Sequence, residues 1–384
     1  YKAGHAFTPL FPPELISYLQ LPLIKKAKSM GIETHVFAWK VGDVGETEAD
    51  FFYPISIVEK DKILEKCEQI KIDGICSIAS DLAAITVNYI ASQLGLNGNS
   101  SECTMISTNK HLMRRAFEMG GDPSPKSILV NSVEDLEGNS FEYPIIVKPT
   151  DRSGSRGITK LENANGLAEA IENAKEQGFE KKALVEEYVT GDEYSVEYIS
   201  YHGKHTFLSM TKKFTTGAPH FIETGHIEPA PIDDKILNKV KKIVTHALDT
   251  LMIKNSASHS ELKISKTGDI KLIEIGGRMG GDFIGSNMVQ LSTGVDFVKA
   301  VIQVALDKKP DITFNNFVRT AGVRFIFGQK DIEILKKIEK EHPDYLVYKE
   351  VHECDGEITD SASRHGVFLI KANMFSDIEK YMPK

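Results

Sequence analysis

Up to about residue 107, apolar runs of helix length alternate with short apolar runs of strand length. LPLIKKAKSMG reads as a helix stopped at Gly31, and ETHVFAW as the strand that follows it. DGICSIA is a short apolar strand, and SDLAAITVNYIASQLG is a helix opened by Ser80 or Asp81 and closed by Gly95. Such alternation predicts a parallel sheet with helices on both faces. TNKHLMRRAFEMGG is a further helix, capped by Thr108 or Asn109, and PSPKSILV leads into a strand. From 140 to about 205 the pattern changes to a small α+β module. Its parts are a strand (YPIIVKP), a Gly/Ser loop, a helix (NGLAEAIENAKEQG) and two strands (KALVEEYV and EYSVEYISY). The remainder mixes strands and helices, with no internal repeat and no long linker.

Two stretches carry candidate chemistry. The first is VKPTDRSGSRGI, a strand ending in Lys148 and Pro149 followed by a loop of small residues and arginine. It has neither the GxxxxGK[ST] nor the GxGxxG pattern. On its own it is either a plain turn or a concave backbone loop that holds a phosphate. Lys148, next to apolar Ile146 and Val147, is either exposed at a strand edge or aimed at a ligand.

The second stretch is HSELKISKTGDIKLIEIGGRMGGD, from His259 to Asp282. HSELKI and IKLIEI each alternate with period two around a turn, which predicts a hairpin. Centred on Thr267-Gly268, it sets Ile264 against Lys271, Leu262 against Ile273 and Glu261 against Glu274, a register that a three-residue loop would shift. Two carboxylates opposed at about 5 Å need a shared proton or a cation. Oxygen ligands of this kind suit Mg²⁺ with substrate phosphates. The alternative is a solvated face on which Lys263 and Lys271 neutralise the pair. Gly276, Gly277, Gly280 and Gly281 surround Arg278, an arrangement suited to close backbone approach to an anion.

Length and composition narrow the classes. A chain of 384 residues suggests two or three domains, and 41% hydrophobic with 26% charged residues is the balance of a soluble globular protein. The net charge of −8 argues against a general nucleic-acid binder while allowing a local basic pocket. No apolar run reaches the roughly 18 residues of a membrane span. The opening YKAGHAFTPLFPPEL, which starts on Tyr1 rather than Met, has no signal-peptide pattern. Cys67, Cys76, Cys103 and Cys354 are spread without a CxxC pair, so reduced thiols in a cytoplasmic protein are expected.

The order of these motifs, with LVEEYVTGDEYSVE between them and SASRHGVFLIKAN near the end, resembles the ATP-grasp superfamily over about residues 17 to 375. The similar branch is that of biotin carboxylase, carbamoyl-phosphate synthetase and the L-amino-acid ligases. The resemblance implies an N-terminal parallel-sheet pre-ATP-grasp domain (1–107). An ATP-grasp N-terminal subdomain with the lid (108–205) and a C-terminal subdomain with the metal and substrate site (206–384) follow. It also implies an ATP-dependent carboxylate–amine or carboxylate–thiol ligase that works through an acyl phosphate, with Mg²⁺ or Mn²⁺ bridging the phosphates. Lys110 and Lys148 match the lysines on the α- and β-phosphates, and Ser153, Gly154, Ser155 and Gly157 match the lid loop. Glu186 matches an adenine-side position, the backbones of Glu187 and Val189 the adenine hinge, and Glu193 the ribose site. Glu261 and Glu274 match the metal ligands. Arg278 matches the arginine on the transferred phosphoryl group or substrate carboxylate, and with Lys148 it is expected to be catalytic.

Two departures stand out. Gly276 replaces an Asn that is often a further metal ligand, and FTPLFPPELI stands where a strand and glycine turn are expected. For the substrates, a small carboxylate and an amine, the segment from Lys212 to Ile232 offers His220, Glu223 and His226. His259 shares a strand face with Glu261 and either orients a carboxylate or packs. Arg324, a charge inside an apolar strand, needs either a substrate carboxylate or a structural glutamate. The alternatives are a phosphoribosylglycinamide-synthetase-like ligase, whose DGDxGPNTGGMG run is missing, and a carbamoyl-phosphate-synthetase-like ligase, of which only one unit is present. A third is a non-catalytic ATP-binding protein. No dinucleotide fingerprint supports an oxidoreductase. Relatives of this architecture are often homodimers, and the charge and hydropathy of the chain point to no nucleic-acid or membrane partner.

Overall fold

A computed structural model describes residues 2–6, 13–40, 42, 44–152, 154–315, 319–354 and 356–383, with side chains from Gln20 onward. Three sheets organise it. The first is parallel, with strands in the order Phe51–Tyr53, Glu33–Phe37, Lys2–Ala6 and Gly74–Cys76. The N-terminal strand expected from the resemblance is therefore present as KAGHA, between its two neighbours. It contains no β-branched residue, so its sequence carries little strand signal. The expected turn after it falls on 7–12, outside the described residues.

The helix after it runs Pro13–Ser29 and contains Pro22, so LPLIKKAKS is only its second half. Helix Asp81–Leu94 is capped by Ser80, whose hydroxyl accepts from the Ala83 N–H, and Gly95 closes it in the left-handed region. Asp81, left open as the other cap, is thereby released for a different contact. Asn109 is likewise the cap of Lys110–Gly120 and accepts from the Leu112 N–H. Both choices place the side-chain acceptor where orphan N–H groups need it.

The second sheet is antiparallel, in the order Ser127–Val130, Ala183–Glu187, Ile145–Pro149, Thr159–Leu161. Helix Leu167–Gln177 covers it through Leu167, Ala170, Ile171 and Ala174. The third sheet is antiparallel and eight-stranded: Ile270–Gly276, Ser256–Ile264, Asp192–Tyr201, Lys204–Thr215, Glu223–Glu228, Thr320–Phe325, Gly366–Ala372, Leu346–Val351. Strand Asp192–Tyr201 pairs on both sides within this large sheet. Residues 192–201, expected with the smaller module, thus share a sheet with the strands that follow them. At Gly191 the backbone has φ +134°, and a Cβ there would lie 2.4 Å from the Ile264 carbonyl oxygen. Only glycine permits that approach.

The parallel-sheet domain is packed on the large sheet by one core. Leu23, Ala27 and Ile78 meet Met279, Val298 and Ile302 there, so the domain cannot move without opening apolar surface. Among the described residues Cys67, Cys76 and Cys103 are buried thiols, pushed up to about 12 by burial, and Cys354 is exposed.

Arg324 is corrected here. It is buried, its guanidinium pairs with Asp331 at 2.6 Å, and it also donates to the Tyr381 carbonyl oxygen at 2.9 Å. Its partner is a structural aspartate, and it borders neither cleft described below. Asp331 accepts in addition from the Phe327 N–H. Arg324→Met strands a buried carboxylate and should cost about 3–5 kcal/mol. Urea denaturation should show that loss, with nucleotide affinity measured on the folded variant unchanged.

Candidate active site

The hairpin Ser256–Ile264/Ile270–Gly276 brings Glu261 opposite Glu274, by a different route from the expected one. The turn is the three-residue kind: Ser265 N–H donates to the Asp269 carbonyl, and Ile264 faces Ile270. Leu262 faces Leu272, one residue off the expected register. A bulge between Glu261 and Leu262 then takes up the extra residue and restores the glutamate pair.

Each glutamate carries a lysine. Lys213 Nζ lies 2.6 Å from Glu261, and Lys110 Nζ lies 2.7 Å from Glu274. Burial pushes the Glu261 carboxyl up, but Lys213 and His259 outweigh it and hold the group well below the usual carboxylate range. Behind this pair, His259 Nδ1 meets Glu197, whose other oxygen accepts from the Gly280 N–H at 3.0 Å. A Cβ at Gly280 would sit 2.7 Å from that imidazole, so the glycine lets the loop close over it. The alternative, a face on which Lys263 and Lys271 neutralise the glutamate pair, does not form. Lys263 turns to Glu193 at 3.8 Å and Lys271 to Glu187 at 3.1 Å.

The other predicted residues gather round this pair. Lys148 and Arg114 both pair with Glu186, at 2.6 and 2.9 Å, and all three are buried. Glu186 therefore fixes Lys148, and it also borders the first cleft. Burial pushes its carboxyl up, yet Arg114 and Lys148 outweigh that and hold it at about 2. Gly154, Ser155 and Gly157 all have positive φ, a turn chemistry that the small residues supply. Ser153 lies outside the described residues. The Glu187 N–H is spent on the Lys126 carbonyl, while Glu187, Tyr188 and Val189 border the cleft with Ile146, Ile158 and Ile273. Glu193 faces Lys213 at 3.3 Å. Arg278 grips Asp81 through two donors, at 2.8 and 3.0 Å.

Two clefts share this centre. The first is bordered by Lys148, Glu186, the 187–189 connection and Glu193. The second, of about 550 Å³, extends past His226, Asp282 and Arg364, and Glu223 borders both. Lys110, Arg152, Lys213, Glu261, Glu274 and Arg278 border both. His226 is buried on the second wall, 3.7 Å from Asp282, and Arg364 pairs with Asp282 at 3.1 Å. His220 is exposed and borders neither cleft.

Sequence reading did not single out Asp81, Arg114, Arg152, Glu197 or Lys213. Arg114 is four residues after Lys110 and on the same helix face, a legible signal. The others depend on long-range pairing.

A protein-family model described as an ATP-grasp domain matches residues 141–286. Alanine–anticapsin ligase of Bacillus subtilis is 29% identical over 330 residues, 76% of this chain and 69% of that protein. D-alanine–D-alanine ligase of Thermoanaerobacter sp. (strain X514) is 24% identical over 242 residues, 58% of this chain and 62% of that one. Among solved structures, the L-amino acid ligase of Bacillus licheniformis superposes with a TM-score of 0.81 at 21% identity, over 99% of this chain and 95% of the other. Residues 141–286 thus match an ATP-grasp domain, and the relatives aligned along the chain are ATP-dependent ligases. The chain is a ligase of that kind, which forms C–N bonds.

The Glu186 triad makes a pH prediction. A carboxyl held at about 2 stabilises the fold fully above its unfolded value near 4.5, and that contribution is lost as pH falls through about 2. Thermal melts between pH 5 and 2 should show a steeper acid loss in the native protein than in Glu186→Gln.

Proposed function

We propose that the enzyme activates a small carboxylate, most simply that of an amino acid, as an acyl phosphate and passes it to an amine. The observation that carries this reading is the meeting of the two clefts at Glu261 and Glu274. A nucleotide lying in the first cleft directs its terminal phosphoryl group toward a carboxylate lying in the second.

In this reading Lys148 and Lys110 hold the phosphates, and Gly154, Ser155 and Gly157 close over them. The Glu187 carbonyl and Val189 N–H read the adenine edge, and Glu193 holds the ribose. Glu261 and Glu274 are hard oxygen donors on adjacent strands, which fits Mg²⁺ or Mn²⁺ bound through few carboxylates and the substrate's phosphates. Bound there, the metal neutralises charge on the transferred phosphoryl group.

On the second wall, Glu223 and Asp282 offer carboxylates suited to an ammonium, with His226 between the strand and the cleft. Burial opposes ionisation of Asp282, but Arg364 and His226 hold it well below the usual range, so it stays charged at neutral pH. The names of the relatives, which join alanine to anticapsin or D-alanine to D-alanine, support an amino-acid substrate. No described helix is long and apolar enough to cross a membrane. Buried cysteines outside any disulfide support a cytoplasmic setting.

ADP release from Mg-ATP, measured against a matrix of amino-acid pairs and small carboxylates, should appear only with particular pairs. It should require the divalent cation. Glu274→Ala should lower it by about 100-fold or more. Tight ATP binding with no substrate-dependent release anywhere in a broad matrix would favour a binding protein instead.

A further inference from the structure

The second cleft is built from two unlike walls. One is polar: Glu223, His226 and Asp282 border it, with Arg364 paired to Asp282. The other is apolar and comes from different elements. Val58, Leu82 and Ile85 border the cleft from the parallel-sheet domain, and Phe179 borders it from the turn after helix Leu167–Gln177. Val58 is 60% exposed, Phe179 57% and Ile85 38%. Among the described residues no other exposed large apolar side chain borders either cleft. Single exposed apolar residues are ordinary, but their gathering at the mouth of one cleft marks a surface that a ligand covers.

The rim is held in place. The Thr86 hydroxyl donates to the Ile57 carbonyl at 2.6 Å, which pins Val58 beside the helix that carries Leu82 and Ile85. The Phe179 N–H donates to Asp151 at 3.0 Å, and the Arg152 guanidinium lies 4.5 Å from the centre of the Phe179 ring. The helix also relates the rim to the reaction centre. Asp81, its first residue, borders both clefts, and Ile85 lies one turn further on, about 6 Å along the axis. A cleft of about 550 Å³ falls among pockets that enclose drug-sized ligands, roughly 300–1,000 Å³. One small amino acid does not fill it. The polar wall accounts for the substrate whose carboxylate is activated, and it leaves the apolar rim for the second substrate.

We propose that the amine-bearing substrate is an amino acid with a bulky apolar side chain, which lies on the rim of Val58, Leu82, Ile85 and Phe179. The proposal rests on the ligase reading above and adds which side of the new bond carries the bulk. Covering the rim removes apolar surface from water, so binding strengthens with each carbon that the side chain brings to it.

The test supplies Mg-ATP with one amino acid at a time as donor, together with an equimolar mixture of glycine, alanine, leucine and phenylalanine. Tandem mass spectrometry reads the order of residues in each product, and yields in competition give relative kcat/KM for the amine side. Leucine and phenylalanine should exceed glycine there by at least about ten-fold. Phe179→Ser and Val58→Ser alter the rim on two different domains, at positions more than half exposed, so the fold has little to lose. Each should lower the preference to at most about three-fold. A merely structural effect would lower all acceptors together and leave the ratio alone.

Glycine or alanine favoured on the amine side would overturn the proposal, as would bulky residues confined to the carboxylate side. So would a preference that both variants leave unchanged, the result expected if the rim serves only to meet a closing lid. No product from any donor would also overturn it. If ADP release fails as well across the wider matrix described above, the ligase reading falls with it, which separates the two failures.

Discussion

Two glutamates face each other across neighbouring strands, and much of the charged architecture keeps both of them ionised. Opposed carboxylates repel, and buried ones shed charge by taking up a proton. Here each is met by an ammonium from another element, Lys213 from the large sheet and Lys110 from the start of a helix. Ionised carboxylates are what a hard divalent cation requires, so the lysines preserve the site's chemistry as well as its stability. The same lysines border both clefts, which places the compensating charge where phosphates would arrive. Stability and function thus draw on one set of charges.

That centre is assembled from all three parts of the chain. Glu186 binds Arg114 and Lys148 together, tying the helix that carries Lys110 to the strand that ends in the lid loop. Asp81 reaches from the parallel-sheet domain to Arg278. Glu197 joins the strand that carries Glu261 to the glycine loop by gripping His259 and the Gly280 N–H. Each bridge is a buried or half-buried charged contact, costly to leave half made. A shift of one part therefore disturbs the others.

Local pattern revealed most helices and strands because their signals are local. Ser80, Gly95, Asn109 and Gly121 each act within one turn of their helix. The strand KAGHA lacked such a signal and is defined only by its two neighbours. The sheet that Asp192–Tyr201 joins was hidden for the same reason. EYSVEYISY follows KALVEEYV closely in sequence, but its partners, Lys204–Thr215 and Ser256–Ile264, belong to a different sheet. The glutamate pair was legible for a partly wrong reason, since a turn one residue longer and a bulge offset each other. Arg324 was legible as a charge needing a partner, and only the fold could name Asp331. Lys213 sat unremarked in TKKFTT because alternate exposure on a strand gives no hint of three converging carboxylates.

The glycine at 276 shows how such convergence changes a motif. In the branch that this chain resembles, the residue two after the second metal glutamate is often Asn. A Cβ at Gly276 would lie 2.7 Å from an Asp81 oxygen and 3.2 Å from Arg278 Nε. The space for a side chain is occupied by the Asp81–Arg278 pair. Asp81 is free for that pair because Ser80, not Asp81, caps its helix. The pair stays ionised: burial pushes Asp81 up, yet Arg278 outweighs it and holds the carboxyl below its usual value. The exchange removes one neutral oxygen donor and sets a carboxylate from the first domain at the same place, with its charge balanced by the arginine. Substituting Asn at 276 alone would thus collide with the pair, whereas a change at Asp81 would first have to release Arg278. The departure at 276 and the aspartate at 81 are one feature, and neither position explains itself without the other.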